Sequence, residues 1–193
     1  MSTATRAPLW QLDAGELGAA YRAGALTPLA VLDAHLERLD MVQAQINPMA
    51  WVDADGARLA AIASTQRWRQ GRPHSALDGV PVTVKDNIPL AGLPCRWGSR
   101  LWQHHRPEVD ESPVARLRAA GAVFLGKTAV PEFTLQGYTD SPLTGVTRNP
   151  WDPALTPGGS SGGAVAALAA GVGVLALGTD GGGSIRRPAG HTG

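Results

Sequence analysis

Of the 24 glycines in this chain, 12 fall in the last 36 residues, between Gly158 and Gly193. A residue without a Cβ collects where the backbone must adopt positive φ or lie against another group. Such a concentration therefore marks a stretch whose path is dictated by close approach. Two serine sites sit inside it, Gly159-Ser160-Ser161-Gly162 and Gly183-Ser184. Between them, Ala164 to Ala170 predicts a helix capped by Ser161, and Val172 to Leu177 predicts a strand. The glycines at 181–183 free consecutive N–H groups to converge on one point, as a developing oxyanion requires. A helix starting after Ser184 would add its dipole.

A serine nucleophile needs a base. The five histidines (His35, His74, His104, His105, His191) show no zinc spacing, and only His191 follows both serines. His104 and His105 adjoin Arg106 and read as solvated surface. Of 17 basic residues only Lys85 and Lys127 are lysines. Lys85 ends the β-branched run Val80-Pro81-Val82-Thr83-Val84, at the C-terminal end of a buried strand, where α/β sheets place their chemistry. A lysine base must be neutral. Burial can lower its pKa from about 10.4 by the ~2–3 units needed to work near pH 8. Alternation along the strand turns Asp86 away from it.

Helix and strand alternate from residue 80 onward, which predicts an α/β class. Pro81 belongs at the strand start or on an edge. Ser112-Pro113 opens a helix closing at Gly121, Ala122 to Leu125 is a short buried strand, and residues 139–159 form a long loop. Upstream, Asp13 with Glu16 has capping-box spacing and its helix runs to Gly24. Thr27-Pro28 caps a helix with Leu29, Leu32, Leu36 and Leu39 on one face, and a third helix covers Ala54 to Gln70. The organisation expected is an N-terminal helical segment, 1–75, packing on an α/β core, 76–193.

Two motif matches are decoys. Gly121 to Thr128 fits the phosphate-loop pattern at every position, yet its variable residues read as a buried strand, whose amides cannot face phosphate. Gly159-Ser160-Ser161-Gly162-Gly163 fits a nucleophile elbow, but a proline-rich loop precedes it where a strand is required.

Composition bounds the rest. Apolar residues make up 44%, charged residues 17%, and the net charge is +1, which argues against a disordered tail or a phosphate-neutralising nucleic-acid binder. One cysteine, Cys95, cannot close an internal disulfide and reads as a small buried residue; with no signal layout in Met1 to Leu9 and no membrane-length apolar run, a cytoplasmic protein is expected. No metal or cofactor is implied.

Gly79 to Ile88 (GVPVTVKDNI), Gly126 to Phe133 (GKTAVPEF), Asn149 to Trp151 and Gly158 to Ala189 together resemble the amidase signature family, over roughly residues 13–193. The resemblance implies a mixed, twisted β-sheet covered by helices. It also implies a triad in which Lys85 is the base, Ser160 the bridging serine after a cis peptide bond, and Ser184 the nucleophile. Amides of Gly181, Gly182, Gly183 and Ser184 would form the oxyanion hole, Ser161 would orient Lys85, and Asp180 and Arg186 would support the loop. Gly181 stands where the family block commonly has threonine. Family members run to more than twice this length, which implies that several strands and the substrate-shaping half are missing from the fold. The implied activity is hydrolysis of a small-molecule carboxylic amide through a Ser184 acyl-enzyme. Its alternatives are the glutaminase-like component of a tRNA-dependent amidotransferase, or an inactive fragment. The implied partners are a second copy or amidotransferase subunits, with neither nucleic acid nor membrane bound directly.

Overall fold

The computed structural model describes residues 7–193; part of the N-terminal stretch read for a signal layout, residues 1–6, lies outside the described residues. Six helices and six strands alternate along it: α1 (Ala14–Arg22), α2 (Pro28–Ile46), β1 (Met49–Val52), α3 (Ala54–Arg69), β2 (Pro81–Lys85), α4 (Ser112–Ala119), β3 (Val123–Thr128), β4 (Asp140–Ser141), β5 (Gly145–Val146), α5 (Gly162–Ala169), β6 (Leu175–Leu177) and α6 (Arg186–Thr192). The main sheet has the order β1-β3-β2-β6. β2 runs parallel to both β3 and β6, and β1 runs antiparallel to β3, so the sheet is mixed.

The first helices start at side-chain caps. Asp13 accepts from the Glu16 amide at 2.8 Å while Glu16 accepts from the Asp13 amide at 2.9 Å, closing the capping box. Thr27 accepts from the Ala30 amide at 3.2 Å, with Pro28 in the first helical position. Leu32 and Leu36 of α2 meet Ala57 and Ala61 of α3 and Val123 and Leu125 of β3 on one face of the sheet. Val82, Val84 and Phe124 point to the other face, where Ile88, Leu90 and Val114 cover them. All five residues of β2 are buried, as expected of an interior parallel strand covered on both sides.

Asp78 fastens the start of β2 to α3. Burial alone would raise its pKa, but Arg67, the Ser64 hydroxyl and the His74 amide, at 2.6–2.7 Å, hold it below the usual carboxylate range.

Several expectations are corrected. The N-terminal segment is not purely helical, because β1 lies within it and supplies a sheet edge. Four residues between two helices, only one of them β-branched, gave little strand signal. β3 is longer than expected and runs through Gly126-Lys127-Thr128. β6 is shorter: Gly171 (φ +80°) and Gly173 (φ +79°) turn the chain, and the Val172 amide closes the end of α5 on Ala167 O at 2.8 Å. The long loop contains the small β4–β5 hairpin.

Gly163 shows what the glycine-rich stretch is for. A Cβ there would lie 2.4 Å from the Ala129 amide nitrogen and 2.6 Å from the Pro48 carbonyl oxygen, so α5 can enter beside the ends of β1 and β3 only without a side chain. Gly163→Ala should therefore destabilise the fold by about 1–3 kcal/mol. Gly190→Ala, with open space inside α6, should be neutral or gain up to ~1 kcal/mol. Urea denaturation of both variants checks the pair; equal midpoints would refute this packing argument.

Candidate active site

Parallel pairing brings the C-terminal end of β2 alongside the segment that follows β6, with Val84 opposite Leu177. One residue past that pair on β2 stands Lys85, whose side chain is wholly buried. Its ammonium nitrogen donates to Ser160 Oγ at 2.8 Å, to Thr179 Oγ1 at 2.8 Å and to the Thr179 carbonyl at 3.3 Å. Burial pushes the Lys85 pKa down from 10.5 to about 8, against the opposing pull of the Asp180 charge.

Ser160 reaches Lys85 from the N-terminal side of α5 and is itself buried. The Gly159–Ser160 peptide bond is cis. Gly159 presses on the backbone of Tyr138, where a Cβ would come within 2.8 Å of three backbone atoms, so no larger residue fits ahead of Ser160. Ser161 occupies the cap position of α5, but its hydroxyl makes no cap bond. It donates instead to the Thr179 carbonyl at 3.2 Å. The expected Ser161–Lys85 contact is thus replaced by a shared acceptor.

Ser184 is half-buried and joins this cluster through its backbone, its carbonyl accepting from the Ser161 amide at 3.0 Å. Its hydroxyl has no hydrogen-bond partner among the described residues. Asp180 draws the preceding loop tight. Its carboxylate accepts from the amides of Gly183 (2.7 Å), Ile185 (3.1 Å) and Arg186 (3.1 Å), and from the Arg186 guanidinium at 2.8 and 3.0 Å. These bonds, the guanidinium first, hold its pKa well below the usual carboxylate range. One consequence alters the expected oxyanion set: the Gly183 amide points to Asp180, leaving those of Gly181, Gly182 and Ser184 without a backbone partner among the described residues. Sequence reading missed Thr179 and Asn87, whose Nδ2 lies 3.1 Å from Thr179 Oγ1. The signal available was the lysine itself, since a buried ammonium needs three acceptors.

The remaining candidates fall elsewhere. Lys127 lies inside buried β3 and donates to the carbonyls of Ile88 (2.7 Å) and Pro94 (3.3 Å), so no phosphate loop exists at 121–128. Cys95 is buried, and burial pushes its thiol pKa up. Among the described residues there is no group of three or more metal-ligating side chains, and no helix is long and apolar enough to cross a membrane.

A family model described as "Amidase" matches residues 30–193. The chain belongs to the amidase family. It is 41% identical to an indoleacetamide hydrolase of Bradyrhizobium diazoefficiens, covering 95% of this chain and 35% of that relative. It is 44% identical to a glutamyl-tRNA(Gln) amidotransferase component of Salinispora arenicola, covering 96% and 38%. Among solved structures, the native peptide amidase of Stenotrophomonas maltophilia superposes with a TM-score of 0.88 at 34% identity, over 94% of this chain and 39% of that one. The amidase chain thus spans little more than a third of the length of the curated relatives it matches.

The depressed lysine has a thermodynamic signature. Below pH 8 both folded and unfolded chains carry the Lys85 proton, and the cost of burying the charge is present in full. Between about pH 8 and 10.5 the unfolded chain binds more protons, so stability rises with pH. Relative to Lys85→Met, which lacks this slope, the wild type should gain about 2 kcal/mol between pH 7 and pH 9.5. Denaturant melts of both proteins at the two pH values check it; parallel pH dependences would place the midpoint near its ordinary value.

Proposed function

We propose that this chain carries the acyl-transfer machinery of an amide hydrolase, with Ser184 as nucleophile, Ser160 as proton bridge and Lys85 as base. The observation that carries the reading is the buried lysine on Ser160. A 2.8 Å contact to a lysine with its pKa near 8 gives that hydroxyl a base able to be neutral at mildly alkaline pH. As Ser184 Oγ bonds to the amide carbon, its proton passes to Ser160, whose own proton passes to Lys85. The carbonyl oxygen becomes an oxyanion, for which the amides of Gly181, Gly182 and Ser184 are the available donors. Collapse breaks the C–N bond as the protons return through Ser160 to the leaving nitrogen. Water then cleaves the ester by the same relay, releasing the acid and restoring Ser184. Asp180 and Arg186 hold the loop and touch no reacting atom.

Family membership supports amide hydrolysis as the class. The Salinispora relative supports a second reading, a glutaminase-type component that delivers ammonia within an assembly. Hydrolysis of simple amides by the chain alone favours the first, and turnover of glutamine only with partner subunits favours the second.

A fluorophosphonate probe tests the machinery without a known substrate. Intact-mass analysis should show one adduct, mapped to Ser184 and absent in Ser184→Ala. Ser160→Ala should slow labelling by roughly 10²–10⁴-fold, the usual contribution of a positioned proton carrier. The wild-type rate should climb with pH through a midpoint near 8, where Lys85 loses its proton. An adduct on another residue, or none, would overturn the assignment.

A further inference from the structure

The Asn87 amide touches the lysine's anchor and is half unsatisfied. With its nitrogen toward Thr179 Oγ1 at 3.1 Å, its oxygen is buried with no partner among the described residues. An amide's two ends have the same shape, so its orientation follows from the hydrogen bonds it must make. We propose that the Asn87 side-chain carbonyl faces the Thr179 hydroxyl, and that Asn87 and Thr179 are positioning residues fixing the direction of the hydrogen bonds at Lys85. The proposal rests on the reading of Lys85 as the base.

Counting donors decides the orientation. When Lys85 is charged, its three N–H groups go to Ser160 Oγ, Thr179 Oγ1 and the Thr179 carbonyl. The Thr179 hydroxyl proton must then go elsewhere. If the Asn87 nitrogen faces it, that proton has no acceptor among the described residues and the buried Asn87 oxygen stays unpaired, two unsatisfied groups in one part-buried site. If the oxygen faces it, Thr179 donates to Asn87, so the hydroxyl proton and the amide oxygen are both paired and only the two N–H groups of the amide nitrogen are left over. Each buried unpartnered group costs about 1–3 kcal/mol, so the second arrangement wins.

The same choice sets the chemistry. Neutral Lys85 has two N–H groups and one lone pair. The Thr179 carbonyl can only accept, so it takes one N–H. With its own proton on Asn87, Thr179 Oγ1 must take the second. The lone pair is then left facing Ser160, ready to receive its proton. Without that acceptor, the Thr179 hydroxyl can rotate and donate into the lysine lone pair, and Lys85 would donate to Ser160 instead of accepting from it.

The experiment uses the chain's two lysines. With ¹³Cε-labelled lysine, only Lys85 and Lys127 give signals, and Lys85→Met assigns them. Asn87→Leu should lower the Lys85 titration midpoint by about one pH unit, because the freed Thr179 hydroxyl now stabilises the neutral amine. In a Thr179→Val background the Asn87 change should do nothing further; Thr179→Ser should behave as wild type. Asp180, the charge acting on Lys85 from the next loop, and its Arg186 partner are the same in every variant. Fluorophosphonate labelling above both midpoints should be about tenfold slower in Asn87→Leu, a loss of the usual size of one hydrogen bond. Asn87→Ala serves if leucine disturbs the packing beside Ile88. A raised midpoint would mean the nitrogen faces Thr179. An unchanged midpoint, or a shift that persists in Thr179→Val, would mean that Asn87 does not act through Thr179. Either result overturns the proposal. A wild type that titrates and responds as expected but is never labelled would remove the acyl-enzyme reading and leave the Asn87–Thr179 arrangement standing.

Discussion

A wholly buried ammonium at Lys85 is the group around which the rest is arranged. An unpaired charge in a protein interior costs several kcal/mol, so it is tolerated only when acceptors are supplied at the right distance. Here they come from two segments distant in sequence: Ser160 at the entrance to α5, and Thr179 just past β6. Neither segment holds its position alone. β6 is three residues long and stays in place by pairing with β2, the strand that presents the lysine. α5 is set by contacts so close that Gly159 and Gly163 have no room for a Cβ. The central strand, the short edge and the glycine turns are therefore parts of one requirement, that oxygen atoms meet one nitrogen.

The chain's other lysine shows the contrast. Lys127 is equally buried, and burial lowers its pKa too, but its partners are backbone carbonyls that do no chemistry. It fixes the loop after β2 by holding Ile88 and Pro94. Asp86 belongs to this second group. Burial raises its pKa, and the charges of Lys127 and Arg96 oppose the rise. Strand alternation sends Lys85 toward the serines and Asp86 toward Lys127 and Arg96, so adjacent residues of opposite charge serve separate networks. Had they faced the same way, the carboxylate would have kept Lys85 protonated well above pH 8.

What the sequence revealed follows how local each signal was. The capping residues Asp13 and Thr27, the Pro81 strand start and the helix ends at Gly24, Gly71 and Gly121 were all legible, because each depends on a few neighbouring residues. The motifs singled out Lys85 and Ser160, which meet at 2.8 Å, and Ser184, which joins them through its backbone carbonyl. β1 was not, because its partner is β3, more than seventy residues away, and its own four residues are weakly β-forming. Thr179 and Asn87 escaped for a related reason: their role exists only once β2 and β6 lie side by side. The Gly183 amide was assigned from the run of glycines and the family resemblance, neither of which could show that Asp180, three residues earlier, would claim it.

The comparisons sharpen what this geometry can determine. Proteins named for indoleacetamide and for peptides share with this chain a common stretch, at 34–41% identity. Differently named substrates over a shared stretch mean that the common backbone frame cannot by itself select among amides. The lysine cradle and the Asp180-bound loop are built from donors and acceptors: Ser160 and Thr179 around Lys85, and the Asp180 carboxylate on its own loop amides. What separates those named substrates then lies in side chains laid over the frame and in residues of the relatives beyond the shared stretch.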